Sequence, residues 1–320
     1  MFQNQVKVGL VQMRCGEDRE KNLRKAIRGI EECAAKGAKI ICLPELFLSK
    51  YFCHGPKKKE YFLLAETIPG PITSALGVIA RQHKVVILCS LFEKTGGADD
   101  GNGGVSDGRN SNNDGNKSDG SGSSNNDAPK KGFNSLAAIG TDGKIIGIYR
   151  KMHIPSLPPD YYAEDFYFEK GREGVAVFET PFGKIAPMIC YDQWFPEGAR
   201  IAAAKGAQIL FYPTAIGWPK SNPQWKKTAE HGAWQIVQRA HAIENNIFVV
   251  AVNRIGTEGD LKFWGTSFVS DPYGRVLVSA STDHEENLVV ALDIGVTEIM
   301  REEWPFLQER RLQVENCKPN

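Results

Sequence analysis

The sequence of 320 residues has little that would mark a membrane, disulfide-bonded or nucleic-acid-binding protein. It contains no apolar run near the roughly 18 residues that a membrane-spanning helix needs. Its seven cysteines are scattered without paired spacing, which is typical of a reduced compartment and not of a disulfide framework. A net charge of +1 argues against bulk attraction to nucleic acid or to an anionic membrane surface.

The class that remains is a globular cytoplasmic protein. The start of the chain lacks the plan of a signal peptide, so we predict a cytoplasmic location. No His and Cys residues have the spacing of a metal site, and we predict neither a metal nor another cofactor. A chain of this length can bury most of its apolar surface in one core. We therefore predict a single domain over residues 1–320, with neither nucleic acid nor membrane as a partner.

Residues 96–131 differ from the rest of the chain, because they are almost wholly Gly, Asn, Ser and Asp. Such a stretch cannot bury enough apolar surface to offset the entropy of ordering. It lies between two strand candidates, Val85–Leu91 and Ser135–Ile139. We predict a disordered insertion that enlarges a hairpin loop and interrupts the domain without ending it.

Strand and helix patterns alternate along the remainder of the chain. The segment Ala34–Glu45 is similar to Ala203–Thr214, since in both a helix ends at Lys-Gly-Ala, a strand follows, and a Pro comes after it. Two similar halves predict an α/β protein with two sheets packed face to face and helices outside. Open α/β sheets place their chemistry at the carboxyl ends of strands, so we expect reactive residues there.

Three segments place reactive side chains directly after predicted strands: Leu43-Pro44-Glu45, Tyr149–Pro155 with Lys151, and Ile189–Glu197 with Cys190. A thiol is only slightly ionised at neutral pH, so a nucleophilic Cys190 needs a base or a positive field. Glu45 could take the thiol proton, and Lys151 could hold that carboxylate and stabilise an oxyanion. The N-terminus of a following helix and the backbone N–H of Tyr191 would add to the positive field.

Each of these residues alone has a commoner explanation. Glu45 suits the start of a helix, Lys151 suits a solvated surface, and a buried cysteine usually behaves as a small hydrophobe. Their occurrence together, in this order along the chain, is what favours a catalytic site.

Taken together, Pro-Glu-Leu-Phe, Tyr-Arg-Lys-Met-His-Ile-Pro and Ile-Cys-Tyr-Asp-Gln-Trp-Phe-Pro-Glu resemble the nitrilase superfamily of carbon–nitrogen hydrolases. The resemblance implies a four-layer αββα sandwich with two pseudo-symmetric halves. It implies that copies pair into a homodimer or higher homo-oligomer, and that the partner is a small-molecule substrate, a carbamoyl amine or an amide. It also implies Glu45 as general base, Lys151 as oxyanion stabiliser and Cys190 as nucleophile.

The resemblance further implies a second glutamate and a set of substrate contacts. The glutamate precedes an aromatic pair in the family, which matches Glu164, with Glu169 and Glu173 as alternatives. The stretches similar to the family imply a substrate-binding role for Tyr51, Tyr191, Trp194, Thr214 and Ala215.

Within the superfamily the sequence is similar to N-carbamoylputrescine amidases, which release putrescine, carbon dioxide and ammonia in polyamine biosynthesis. One difference bears on the substrate, because Trp218-Pro219 stands where those enzymes carry an acidic residue that could meet the distal ammonium. A buried diamine end needs a carboxylate, and Asp192 and Glu197 have a structural explanation. A β-ureido acid or a small aliphatic amide stays open as the substrate. A catalytically silent dimeric scaffold is the alternative from another functional class.

Overall fold

The structure is a computed structural model, and it describes residues 5–95, 129–157 and 162–311. The predicted insertion at 96–131 lies outside these residues, except for its last three positions. Within the described part of the chain, no helix is long and apolar enough to cross a membrane.

The described ranges contain strands, α-helices and two 3-10 helices in an alternating order. The strands are β1 (Gln5–Gln12), β2 (Ile40–Cys42), β3 (Val86–Glu93), β4 (Phe133–Ile139), β5 (Ile145–Arg150), β6 (Ser156–Leu157), β7 (Tyr162–Ala163), β8 (Phe178–Thr180), β9 (Gly183–Pro187), β10 (Ile209–Thr214), β11 (Gly217–Pro219), β12 (Phe248–Asn253), β13 (Ile255–Glu258), β14 (Leu261–Trp264), β15 (Phe268–Ser270), β16 (Val276–Ser279) and β17 (Glu286–Asp293). The α-helices are α1 (Arg19–Ala35), α2 (Pro71–His83), α3 (Glu164–Tyr167), α4 (Pro196–Ala204), α5 (Gln224–Asn245), α6 (Val296–Glu303) and α7 (Phe306–Glu309). The 3-10 helices are Lys59–Leu64 and Cys190–Trp194.

Two six-stranded mixed sheets form the centre of the fold and share one internal plan. The first has the order β17-β1-β2-β3-β4-β5, and the second has the order β8-β9-β10-β12-β15-β16. In each sheet the second, third and fourth strands are parallel, and the other neighbouring pairs are antiparallel. The common plan confirms the two similar halves that the sequence predicts.

The two sheets face each other across the main core, and helices cover their outer faces. Along β1, Val8 and Leu10 lie in this core, whereas Val11 lies in a second core beneath α1 and α2. Helix α1 approaches the sheet closely, because a Cβ placed on Gly9 would lie 2.9 Å from the Cβ of Cys33. On the second sheet, α5 packs against β12 and β15. This layer order confirms the predicted αββα sandwich.

The two segments that are similar in sequence also end their helices in the same way. Gly37 after α1 has a φ of +91°, and Gly206 after α4 has a φ of +92°, a left-handed conformation that glycine adopts without steric cost. In both places the amide of the residue after the glycine donates to a carbonyl in the last helical turn, Ala38 to Cys33 and Ala207 to Ala202. These turns direct the chain into β2 and β10, whose far ends lead to the candidate site.

The strands that flank the insertion pair with each other. Strands β3 and β4 are antiparallel neighbours, with Glu93 opposite Phe133. At the edges of the segment, the Thr95 hydroxyl donates to the Lys131 carbonyl at 3.0 Å. The chain therefore leaves β3 and returns in β4 at neighbouring positions.

Candidate active site

Three strand ends from the two sheets bring reactive side chains to one place. Glu45 lies three residues beyond β2, and Lys151 directly follows β5, both in the first sheet. Cys190 lies three residues beyond β9 of the second sheet and begins a 3-10 helix. Glu45, Lys151 and Glu164 all act electrostatically on Cys190. Residues far apart in the sequence thus form one buried group.

Lys151 lies between two carboxylates, and none of the three side chains has exposed surface. Its Nζ is 2.7 Å from Glu45 Oε1, and 2.7 and 2.8 Å from the two oxygens of Glu164. These charge-assisted hydrogen bonds compensate for the burial of three ionisable groups. Of the three glutamates considered for the second position, Glu164 is at the site. Glu169 is exposed, and Glu173 belongs to a surface ion pair.

Asn134 and Tyr51 hold the two carboxylates in place. Asn134 Nδ2 donates to Glu45 Oε1 at 2.8 Å and lies 3.5 Å from Glu164 Oε2. The Tyr51 hydroxyl donates to Glu164 Oε1 at 2.6 Å. Glu45 Oε2 is buried and has no hydrogen-bond partner among the described residues. One oxygen of Glu45 is therefore fixed, and the other can accept a proton from a reactant.

The loop that carries Glu45 is anchored from the second sheet by Arg254, which is fully buried. One guanidinium nitrogen donates to the carbonyls of Glu45, Leu46 and Ser49 at 3.0, 2.9 and 3.2 Å. Another donates to Glu258 Oε1 at 3.1 Å. Leu46 has a φ of +47°, an uncommon left-handed value that persists only where surrounding contacts enforce it. Arg254 supplies those contacts.

Lys151 and Glu164 share this buried space with Glu45, and the pKa values of Lys151 and Glu164 depend on these neighbours. Burial acts to lower the pKa of Lys151, but Glu164 and Glu45 outweigh it and hold that pKa well above its ordinary value. Burial raises the pKa of Glu164 to about 7, with Lys151 opposing this shift and Glu45 adding to it. Lys151 therefore stays charged at neutral pH, while Glu164 exchanges its proton near that pH.

Cys190 sits in a tight turn with a φ of +44°, an uncommon value for a residue other than glycine. Asp192, which is fully buried, braces this turn by accepting hydrogen bonds from the Ile189 amide at 3.0 Å and the Tyr149 hydroxyl at 2.7 Å. Burial, followed by the charge of Glu45, raises the pKa of the Cys190 thiol well above its ordinary value. The sulfur is therefore a thiol at neutral pH until a base takes its proton.

A cavity of about 360 Å³ adjoins Cys190 and is lined mainly by apolar and aromatic side chains. Its lining residues are Pro155, Leu157, Tyr162, Glu164, Cys190, Tyr191, Trp194, Ile216, Gly217, Glu230, Ala233 and Trp264. Glu45 and Lys151 have no exposed surface, and Lys151 contacts the lining through Glu164. A space of this size accepts a small molecule.

The predicted substrate-binding residues fall into two groups. Tyr191 and Trp194 line the cavity. Tyr51, Thr214 and Ala215 are buried behind it. The Thr214 hydroxyl donates to a carbonyl of its own strand, and the backbone of Ala215 hydrogen-bonds the thiol of the predicted nucleophile.

Two further features differ from the expectations set by the sequence. The helix expected directly after Cys190 is a short 3-10 helix, and α4 begins only at Pro196, because proline favours the first position of an α-helix. Asp192 and Glu197, the two carboxylates considered for a distal ammonium, do not line the cavity. Asp192 is buried in the turn at Cys190, and Glu197 is exposed. Glu230 of α5 lines the cavity instead.

Sequence reasoning missed Asn134 and Glu230. A lone Asn in a strand gives no signal, because strands commonly carry polar residues on alternate positions. Glu230 did leave a signal, since it lies one helical turn before Ala233 and Trp234 and shares their face of α5. Among the residues that the structure describes, no group of three or more His, Cys, Asp or Glu side chains could hold a metal ion.

Comparison with known proteins gives a consistent result. The carbon-nitrogen hydrolase family matches residues 7–302. An N-carbamoylputrescine amidase from Arabidopsis thaliana is 35% identical, with 96% of this chain and 93% of that protein covered. A citrullinase from Francisella tularensis is 34% identical, with 96% and 95% covered. The crystal structure of a carbon-nitrogen hydrolase from Helicobacter pylori G27 has a TM-score of 0.83 and 33% identity, with 98% of this chain and 97% of that one covered.

Proposed function

Because the chain belongs to the carbon-nitrogen hydrolase family, we propose that it hydrolyses N-carbamoylputrescine to putrescine, carbon dioxide and ammonia. The chain is a carbon–nitrogen hydrolase similar to N-carbamoylputrescine amidases. One observation carries the proposal: Lys151 Nζ lies 2.7 Å from both Glu45 and Glu164, beside Cys190. Acyl transfer through a thioester uses a nucleophile, a base and a cation in this arrangement.

In the first half-reaction Cys190 is the nucleophile and Glu45 the general base. The thiol gives its proton to the unpartnered Oε2 of Glu45 as sulfur bonds to the carbamoyl carbon. Lys151 and the backbone N–H of Tyr191 stabilise the negative charge that develops on the carbonyl oxygen. The C–N bond then breaks, and Glu45 returns the proton to the leaving amine. A thioester on Cys190 remains.

In the second half-reaction water takes the place of the departed amine. Glu45 accepts a proton from the water, whose oxygen attacks the thioester carbonyl. The C–S bond breaks, and the proton returns to the sulfur of Cys190. The released carbamate then decomposes into carbon dioxide and the second amine. Glu164 orients Lys151 through both halves, because both of its oxygens contact Nζ.

The predicted substrate contacts take two roles in this proposal. Tyr191 and Trp194 contact the substrate, since they line the same cavity as the nucleophile. Tyr51 and Ala215 fix two residues of the lining, by hydrogen bonds to Glu164 and to the Cys190 thiol. Thr214 is held within its own strand, where its hydroxyl donates to the Tyr212 carbonyl. A ureido amino acid is the second candidate substrate, because a citrullinase is 34% identical over 96% of the chain.

We also propose that the protein is a cytoplasmic homodimer or higher homo-oligomer. Helix α5 carries Trp225 and Ile236, which are 72% and 63% exposed. They lie about three helical turns apart and therefore share one face of the helix. Two large apolar side chains exposed on one face support association with a second copy. Light scattering should show an oligomer for the wild type and a smaller species for Trp225→Glu/Ile236→Glu.

Ammonia release tests the proposed reaction directly. The enzyme should release ammonia from N-carbamoylputrescine faster than from β-ureidopropionate or citrulline. Cys190→Ala should lose turnover, whereas Cys33→Ala, which removes a buried cysteine of α1, should keep it. Mass spectrometry after treatment with an electrophilic amide should find the adduct on Cys190. Full turnover by Cys190→Ala would end the mechanism, and faster release from citrulline would replace the substrate.

A further inference from the structure

The cavity contains one charged side chain that the proposed chemistry does not use, the carboxylate of Glu230. Glu164 is the other charged residue of the lining. Both oxygens of Glu164 are already engaged, by Lys151 and by the Tyr51 hydroxyl. A carboxylate that a bound ligand removes from water needs a cation beside it. Glu230 is therefore the group in this lining that a cationic ligand would find available.

Glu230 is oriented by its neighbours, but they pair with it only weakly. Asn222 Nδ2 donates to Oε2 at 3.2 Å. Lys226 Nζ is 3.7 Å from Oε1, and the two side chains are 46% and 37% exposed. An ion pair that is long and solvated contributes little free energy. It would yield to a cation that approaches from within the cavity.

The cavity that Cys190 and Glu230 share also has a wall that suits a hydrocarbon chain. Trp194, Ile216 and Trp264 line the same cavity, and all three belong to one apolar cluster. Methylene groups gain free energy by leaving water for such a surface. The cavity thus offers a reactive thiol, apolar side chains and a carboxylate, in a volume of about 360 Å³.

We propose that Glu230 binds the distal ammonium group of the substrate and so selects cationic carbamoyl amines over neutral or acidic ureas. The inference rests on the proposed function, because it takes the carbamoyl group to lie at Cys190. Glu230 supplies from α5 the negative charge that the loop at Trp218-Pro219 lacks. The same carboxylate would repel the acid group of a ureido acid, which adds discrimination against that class.

Turnover of three ureas of similar length tests this role: N-carbamoylputrescine, N-butylurea and 4-ureidobutanoate. For the wild type, kcat/KM should be highest for the cationic compound and lowest for the acid. Glu230→Gln should lower the ratio of kcat/KM for N-carbamoylputrescine to that for N-butylurea at least about tenfold, mainly through KM. Glu230→Asp should retain part of the preference. Glu302→Gln, which changes an exposed carboxylate of α6, should leave the ratio unchanged. An unchanged ratio in Glu230→Gln overturns the inference.

A binding measurement separates this inference from the proposed reaction. In a Cys190→Ala background, which does not consume the ligand, calorimetry should show at least about tenfold weaker binding of N-carbamoylputrescine when Glu230→Gln is added. If Glu230→Gln weakens binding but the wild type does not hydrolyse N-carbamoylputrescine, the cation site is supported and the proposed reaction is overturned. Hydrolysis by the wild type with equal binding by both variants overturns the role of Glu230 alone.

Discussion

Replacing Asn134 with leucine tests whether the buried carboxylates must be held in place for turnover. The amide donates to Glu45 Oε1 at 2.8 Å, and leucine has a similar size but no donor. Glu45 would keep its contact with Lys151 and lose the second hydrogen bond that fixes it. Because Oε2 is the atom proposed to accept the proton, rotation of this carboxylate misplaces the base.

The size of the effect follows from the geometry. A hydrogen bond to a charged group contributes about 1.5–3 kcal/mol, which corresponds to a loss of about 10- to 150-fold in kcat/KM. The 3.5 Å contact of Asn134 with Glu164 is too long to add much. The Ser90 hydroxyl also loses its acceptor, Asn134 Oδ1 at 3.1 Å. Because that hydroxyl is buried, the free energy of unfolding should fall by about 1–3 kcal/mol.

Two measurements on Asn134→Leu separate catalysis from folding. Ammonia release gives kcat/KM, and denaturant unfolding gives the change in stability. Asn245→Leu is the matched control, since Asn245 is buried at the end of α5, away from the cavity lining, and donates to the His241 carbonyl at 2.9 Å. The control should lose stability and keep its turnover when folded. Wild-type kcat/KM in folded Asn134→Leu would refute the reasoning.

Two further predictions concern the residues around the buried carboxylates, and a third concerns residues 96–131. Because burial raises the pKa of Glu164 to about 7, kcat/KM of the wild type should fall as Glu164 takes up a proton below about pH 7. Glu164→Gln imitates the protonated form, so its kcat/KM should be low and should not fall further below about pH 7. A fall in kcat/KM of this variant near pH 7 would contradict the assignment. Arg254→Met leaves three buried carbonyls and Glu258 without their partner and should lower the free energy of unfolding by about 3–5 kcal/mol in denaturant titrations. Replacing residues 96–131 by a short turn should keep turnover within a few-fold, since β3 and β4 already pair, and a large loss in the folded protein would contradict this.

The central reactive residues could be predicted because each follows a strand in the sequence and carries a chemistry that needs the others. Glu45, Lys151 and Cys190 come after β2, β5 and β9, and local pattern is enough to locate such ends. The repeated Lys-Gly-Ala turn predicted the two halves for a similar reason, since a left-handed glycine after a helix is a local requirement. The meeting of Glu45, Lys151 and Cys190 in space was inferred from their chemistry and from the resemblance to the family.

The remainder of the site depends on packing that the local sequence does not encode. The cavity lining comes from several elements, among them the 3-10 helix that begins at Cys190, β11, α5 and β14. These elements meet only once the sheets pack together. The bracing by Arg254 also joins residues about two hundred positions apart. Element bounds also follow local chemistry, as in α4, which begins at Pro196. Proline can begin a helix although it cannot continue one.

The origin of the reactive groups on opposite sheets has a consequence for assembly. Glu45 and Lys151 leave the first sheet, whereas Cys190 and Arg254 leave the second. A fragment that contains one sheet would carry either the base or the nucleophile, and no such fragment could turn over substrate. During refolding, regained activity therefore reports the moment when the halves dock, and it should lag behind any signal that follows strand pairing within one half.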